Sequence, residues 1–124
     1  MKVTYCLIIQ LKRNSKIRIG KLGLLDFKHG YYIYVGSAPS YKGYHIPRIE
    51  RHFRKNKKKF WHIDYLLEKA NPIYFFFSRA SECKTAEKLS KKFDSVKGFG
   101  CSDCKCESHL FYSKGKPSEF QYLL

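Results

Sequence analysis

Apolar and polar positions alternate between two rhythms along this chain, and the changes of rhythm mark its elements. Residues 3–11 (V-T-Y-C-L-I-I-Q-L) form a β-branched and aromatic run that predicts a buried strand. A polar turn follows at 12–16. Ile17 to Ile19 and Leu22 to Phe27 then fit a small hairpin around Gly20 and Gly23. His29-Gly30 makes a further turn before a tyrosine-rich strand at 31–35 that ends at Gly36.

From residue 46 the apolar spacing lengthens to three and four. Ile46, Ile49 and Phe53 predict an amphipathic helix with Pro47 in its first turn. Asn56 to Lys59 breaks it, and 60–70 reads as a second helix with Ile63, Leu66 and Leu67 inward, stopped by Asn71-Pro72. Residues 73–77 (I-Y-F-F-F) read as a strand near the centre of the sheet. Ser81 is a good cap for a third helix over 82–93, with Ala86, Leu89 and Phe93 inward. A glycine-punctuated loop, a strand at 108–112 and an edge strand at 120–124 complete the pattern. Strands and helices do not alternate regularly, so the expected class is α+β, a small and mainly antiparallel sheet flanked by helices in one domain spanning 1–124.

Composition narrows the function. The chain has 124 residues, with 25 Lys+Arg against 10 Asp+Glu, a net charge of +15. So large a charge on a small body repels itself until an anionic partner binds, and nucleic acid is the leading class. No run is long enough to span a bilayer and no secretory pattern opens the chain, so a cytoplasmic protein without a membrane partner is expected. Five cysteines in such a compartment argue against a disulfide framework.

Three groups of residues carry candidate chemistry. Tyr5 and Tyr34 lie on strands, and Arg48 and His52 share a helix face by their spacing of four. Together they offer phenols to move protons, a permanent forked cation for phosphate, and an imidazole. Equally, the tyrosines fit core positions and Arg48 and His52 a solvated helix face. Cys101, Cys104, Cys106 and His109, with Cys83 as a substitute, have a spacing compatible with tetrahedral Zn²⁺, or with small buried residues around a hydrogen-bonded histidine. Trp61 fits a core position or a base-stacking platform. His62, Arg51, Arg54 and Lys57, Lys58 and Lys59 form a possible phosphate track.

Read together, Val3-Thr4-Tyr5 and Tyr34-Val35-Gly36 resemble the paired half-motifs of the GIY-YIG nuclease superfamily. The stretches Tyr34 to Ala38, Arg51-His52, Trp61 to Tyr65, Gly98-Phe99-Gly100 and Asp103 to Leu110 resemble its Uri-type branch, common in archaea, over nearly the whole chain. Val3 stands at the first glycine of the motif, and the half-motifs are separated by the extra hairpin. The resemblance implies an endonuclease that hydrolyses DNA phosphodiesters, in repair or processing of structured DNA, with Mg²⁺ or Mn²⁺. It implies Tyr5 or Tyr34 as proton relay, Arg48 on the scissile phosphate, His52 one turn later, and a metal-binding glutamate on the third helix. Glu82 is the first choice for that ligand and Glu87 the fallback. So small a domain is expected to draw specificity from a protein partner. A non-catalytic nucleic-acid-binding module, with or without stabilising Zn²⁺, is the alternative.

Overall fold

The computed structural model describes residues 2–39, 46–55, 58–100 and 105–117. The strands are β1 (Lys2–Leu11), β2 (Ser15–Arg18), β3 (Leu24–Phe27), β4 (Gly30–Pro39), β5 (Asn71–Ser78), β6 (Asp94–Ser95) and β7 (Leu110–Ser113). The helices are α1 (Ile46–Phe53), α2 (His62–Leu66) and α3 (Glu82–Ser90). Five strands form an antiparallel sheet in the order β5-β1-β4-β7-β6, and β2 and β3 form a separate hairpin. The class is α+β, a small antiparallel sheet flanked by helices.

Both faces of the sheet are covered, which explains why β1 is apolar without interruption from Tyr5 to Ile9 rather than alternating with polar residues. Tyr5, Leu7 and Ile9 on one face pack with Tyr32, Ile49 of α1, Ile63 and Leu66 of α2, and Ile17 and Phe27 of the hairpin. On the other face Cys6, Ile8, Ile33 and Val35 pack with Ala86 and Leu89 of α3. The Ser81 hydroxyl accepts a hydrogen bond from the Lys84 N–H at 3.2 Å, so the cap of α3 is as expected.

Among the described residues the run over 71–78 lies at the edge of the sheet rather than at its centre: it pairs with β1 and leaves Phe75 and Phe77 partly exposed. Pro72 lies opposite Ile9 within this strand and lacks the N–H that a second neighbour would require. The second helix is one turn and a half rather than the eleven residues expected, and α3 stops three residues short of Phe93. Phe53 is exposed rather than inward. The expected strand at 120–124 lies outside the described residues.

The pairing of β1 with β4 sets the register for the site. Tyr5 stands opposite Gly36, and Leu7 opposite Tyr34. Two strand positions are thus brought side by side across an antiparallel ladder, although Tyr5 and Gly36 are 31 positions apart in sequence. Gly36 is needed there because a Cβ would sit 2.6 Å from the Tyr5 hydroxyl oxygen and 2.7 Å from Cζ.

Candidate functional site

A polar cavity of about 340 Å³ opens where β1 and β4 meet the start of α3. Tyr5, Tyr34, Arg48 and Glu82 all line it, with Lys2, Ser37, Trp61 and His109 among their neighbours. Each comes from a different element. Tyr5 and Tyr34 are held by the ladder just described, Arg48 by α1, and Glu82 by the capped first turn of α3.

Tyr5 is buried at 2% exposure, and its hydroxyl lies 2.6 Å from Nε2 of His52, itself buried. Burial pushes the Tyr5 phenol well above the ordinary range, the neighbouring Tyr34 adding to the rise and Arg48 opposing it. Tyr34 is raised as well, by burial first and then by the charges of Glu82 and Asp64. Its ring stands edge-on to both Tyr5 and His52. Both phenols are therefore protonated at neutral pH and can pass a proton only to a partner already in contact. For Tyr5 that partner is His52, which stands behind the cavity rather than on it.

Arg48 donates from Nη1 to the carbonyl of Ser37 at 2.9 Å, which anchors the guanidinium at the rim of the cavity. Glu82 is half-buried. Burial acts to raise its pKa, but hydrogen bonds from His109 and Ser37 outweigh this and hold the carboxyl below its usual value. Nδ1 of His109 lies 2.9 Å from Glu82 Oε2. A carboxylate kept ionised by its neighbours beside a polar cavity is a fitting single protein ligand for a hydrated Mg²⁺. Glu87 is exposed and lines a different cavity, so the structure separates two glutamates that spacing alone left equivalent.

The proposed phosphate track divides. Arg51 is committed to Asp64, whose carboxylate receives Nη1 at 2.7 Å and Nη2 at 3.0 Å. Asp64 also accepts the N–H groups of Phe60 and Trp61, so it ties α1 to the start of α2. Lys59 is paired with the exposed Glu68 at 3.0 Å. His62 accepts the Gly100 N–H at Nδ1 and packs against Phe99, and burial lowers its pKa. Its Nδ1 is thus engaged by the backbone rather than turned to solvent. Arg54 and Lys58 are exposed, and Lys57 lies outside the described residues.

Trp61 departs from a core position. It is 40% exposed and lines the cavity, with the guanidinium carbons of Arg48 and Arg51 at 5.2 and 4.6 Å from its ring. Ser37 and Lys2 were not among the candidates. Ser37 follows Gly36 directly and faces the same opening, a signal the motif itself carried. Lys2 had none beyond its place at the start of β1.

Of the cysteine cluster, Cys106 and His109 meet Cys83, and Cys101 and Cys104 lie outside the described residues. The ligand atoms of Cys83, Cys106 and His109 are within 4.8 Å of one another, a group that can hold a metal ion. Ser108 turns inward and caps its own segment, donating to the Leu110 carbonyl and accepting the Leu110 N–H.

Fold and site define a small α+β protein with a tyrosine-, arginine- and glutamate-lined cavity at one end of its sheet. The chain belongs to the family described as Domain of unknown function DUF123, matched over residues 4–123. No curated protein and no solved structure matches it. Among the described residues no helix is long and apolar enough to cross a membrane.

Proposed function

We propose that this protein is a metal-dependent endonuclease of GIY-YIG type, Uri-like, acting on the phosphodiester backbone of DNA. The observation that carries the reading is the lining of one cavity by Tyr5, Tyr34, Arg48 and Glu82, from four different elements. Phosphodiester hydrolysis requires a way to take a proton from water, a cation for the charge developing at phosphorus, and stabilisation of the leaving oxygen.

In this reading the attacking water gives its proton to the Tyr5 oxygen as the Tyr5 hydroxyl proton passes to Nε2 of His52. The raised pKa of the phenol makes this a coupled transfer, since a free tyrosinate is not populated. The water oxygen bonds to phosphorus as the bond from phosphorus to the sugar oxygen breaks, and the departing alkoxide takes its proton from solvent in the open cavity. Arg48 faces the non-bridging oxygens with a charge that no pH change removes. Glu82 would hold Mg²⁺ or Mn²⁺, which when bound supplies Lewis-acid stabilisation of the phosphoryl oxygens. Trp61, braced by two guanidinium groups, is suited to stack a base beside the scissile phosphate.

The net charge of +15 supports a polyanionic substrate gripped by its backbone. A domain this small has few surfaces for sequence discrimination, so specificity is assigned to substrate shape or to a protein partner. Nicked, branched and linear DNA, and RNA of matching shape, incubated with Mg²⁺ or Mn²⁺ test the reading. Cleavage that disappears in Arg48→Ala and in Glu82→Ala supports it. Salt-sensitive binding with no products identifies a binding module instead.

A further inference from the structure

Behind the Glu82 side of the cavity lies a group of soft ligands that the cleavage reading does not use. Cys83 follows Glu82 in the first turn of α3 and lines both the polar cavity and a second one, while Cys106 lines the second and His109 the first. The three ligand atoms therefore meet in the wall between the two cavities, mutually within 4.8 Å. His109 is buried at 2% exposure.

Two thiols and an imidazole are a donor set for zinc-class ions and a poor one for Mg²⁺, which takes oxygen. Two thiolates on a tetrahedral zinc, each about 2.3 Å from the ion, stand roughly 3.8 Å apart. The spacing here exceeds that by at most about 1 Å, which a side-chain rotation at the exposed Cys83 can close. A metal-bound imidazole characteristically gives its other nitrogen to a carboxylate, which fixes the ring and its tautomer. Nδ1 of His109 lies 2.9 Å from Glu82, so an ion held at Nε2 would complete that arrangement. The remaining described cysteine, Cys6, belongs to the opposite core, where burial pushes its thiol up to about 12 and removes it as a ligand.

We propose that Cys83, Cys106 and His109 bind one zinc-class ion that staples segment 105–109 to α3 and holds the His109 imidazole against Glu82. The ion is separate from the hard cation assigned to Glu82. Its role is positional: it joins two segments more than twenty residues apart through ligands from each. It also fixes the direction from which Glu82 is hydrogen-bonded. A fourth tetrahedral position remains for water or another donor.

The test is cobalt substitution of the full chain, stripped of metal and kept reduced. One equivalent of Co²⁺ is expected to give the visible bands of a tetrahedral ion and a near-ultraviolet thiolate-to-cobalt band, both bleached by Zn²⁺ and unchanged by excess Mg²⁺. Cys83→Ser, at an exposed position, is expected to fold normally, to lose one thiolate's share of the band and to bind at least about tenfold more weakly. Cys106→Ser is expected to do the same. Absence of a tetrahedral cobalt spectrum overturns the proposal, as does a spectrum identical to wild type in either serine variant. The spectrum is read without nucleic acid, so its failure leaves the cleavage reading standing, and loss of cleavage leaves the metal site standing.

Discussion

The hydroxyl oxygen of Tyr5 and Nε2 of His52 lie 2.6 Å apart, both residues buried, joining β1 to α1 across 47 positions of sequence. Tyr5 also faces the polar cavity, but His52, buried behind it, cannot turn to bulk water if the phenol is removed. Tyr5→Phe is expected to cost about 1–3 kcal/mol of stability by breaking a buried hydrogen bond. Loss of the proton relay is expected to lower cleavage by about 10²- to 10⁴-fold. Chemical denaturation reads the first quantity and single-turnover cleavage the second. A Tyr5→Phe protein that is less stable yet cuts at the wild-type rate reduces the pair to a packing contact.

Gly36 controls the same hydroxyl from the neighbouring strand. An alanine Cβ would meet the Tyr5 oxygen at 2.6 Å and Cζ at 2.7 Å, inside van der Waals contact. Gly36→Ala is expected to destabilise by about 1–3 kcal/mol through overpacking and to move the phenol off His52. In a Tyr5→Phe background the penalty should shrink without vanishing, because the ring carbon remains in the way. Equal penalties in both backgrounds would place the strain elsewhere.

Much of this arrangement was readable from periodicity. The β-branched and aromatic runs over 3–11 and 31–35 read as strands, whose two-residue period sets Tyr5 with Leu7 and Tyr32 with Tyr34 on common faces, and antiparallel pairing carries both sets into one core. Other features depend on contacts between elements, which spacing does not encode. Composition could not tell an edge strand from a central one at 73–77, since five apolar residues in a row fit either place. Glu82 and Glu87 lie on one helix, and only the approach of Ser37 and His109 distinguishes them. Arg51 and His62 read as cations for phosphate because their partners, Asp64 and the Gly100 N–H, lie 13 and 38 positions away.

Glu82 and Glu87 therefore form an internal control for metal binding. Glu82→Ala is expected to abolish Mg²⁺-supported cleavage, while Glu87→Ala should leave the rate and its Mg²⁺ dependence within about twofold, as for a surface substitution remote from the site. Titrating Mg²⁺ against initial rate for both variants decides the point. Equal losses would mean that the ion is not held by the carboxylate in the cavity.

Arg48 and Lys58 should separate chemistry from affinity. Arg48 faces the cavity and is anchored by Ser37, so Arg48→Lys, which loses the fork while keeping charge, is expected to lower the cleavage rate by about 10- to 10³-fold. Lys58 is exposed away from the cavity lining, and Lys58→Ala is expected to reduce the salt dependence of binding by at most about one phosphate's worth, a slope change of about 0.9. Its single-turnover rate at saturating DNA should stay at the wild-type value. Binding isotherms at several salt concentrations, paired with single-turnover rates, distinguish the two. Rescue of the rate by lysine at position 48 would remove the bidentate phosphate contact from the mechanism.

Asp64 supplies a pH-dependent element of stability. Burial raises its pKa, but the Arg51 fork and the Trp61 and Phe60 N–H groups reverse this and leave it below the usual carboxylate value. A carboxylate whose folded pKa is depressed contributes its full stabilisation above its unfolded pKa, near 3.9, and loses it as pH falls through the folded value. The charges it meets are Arg51 directly, while Tyr5 and Tyr34 feel its field. Asp64→Asn is therefore expected to be destabilised by about 3–5 kcal/mol at neutral pH, because Arg51 is left half-buried against a neutral amide. The difference from wild type should hold constant down to about pH 5 and narrow below about pH 4 as the native carboxylate takes up its proton. Urea unfolding of both proteins between pH 7 and pH 3 measures it. A gap that widens on acidification would mean that Asp64 is protonated more easily in the folded chain than in the unfolded one, contrary to its four hydrogen bonds.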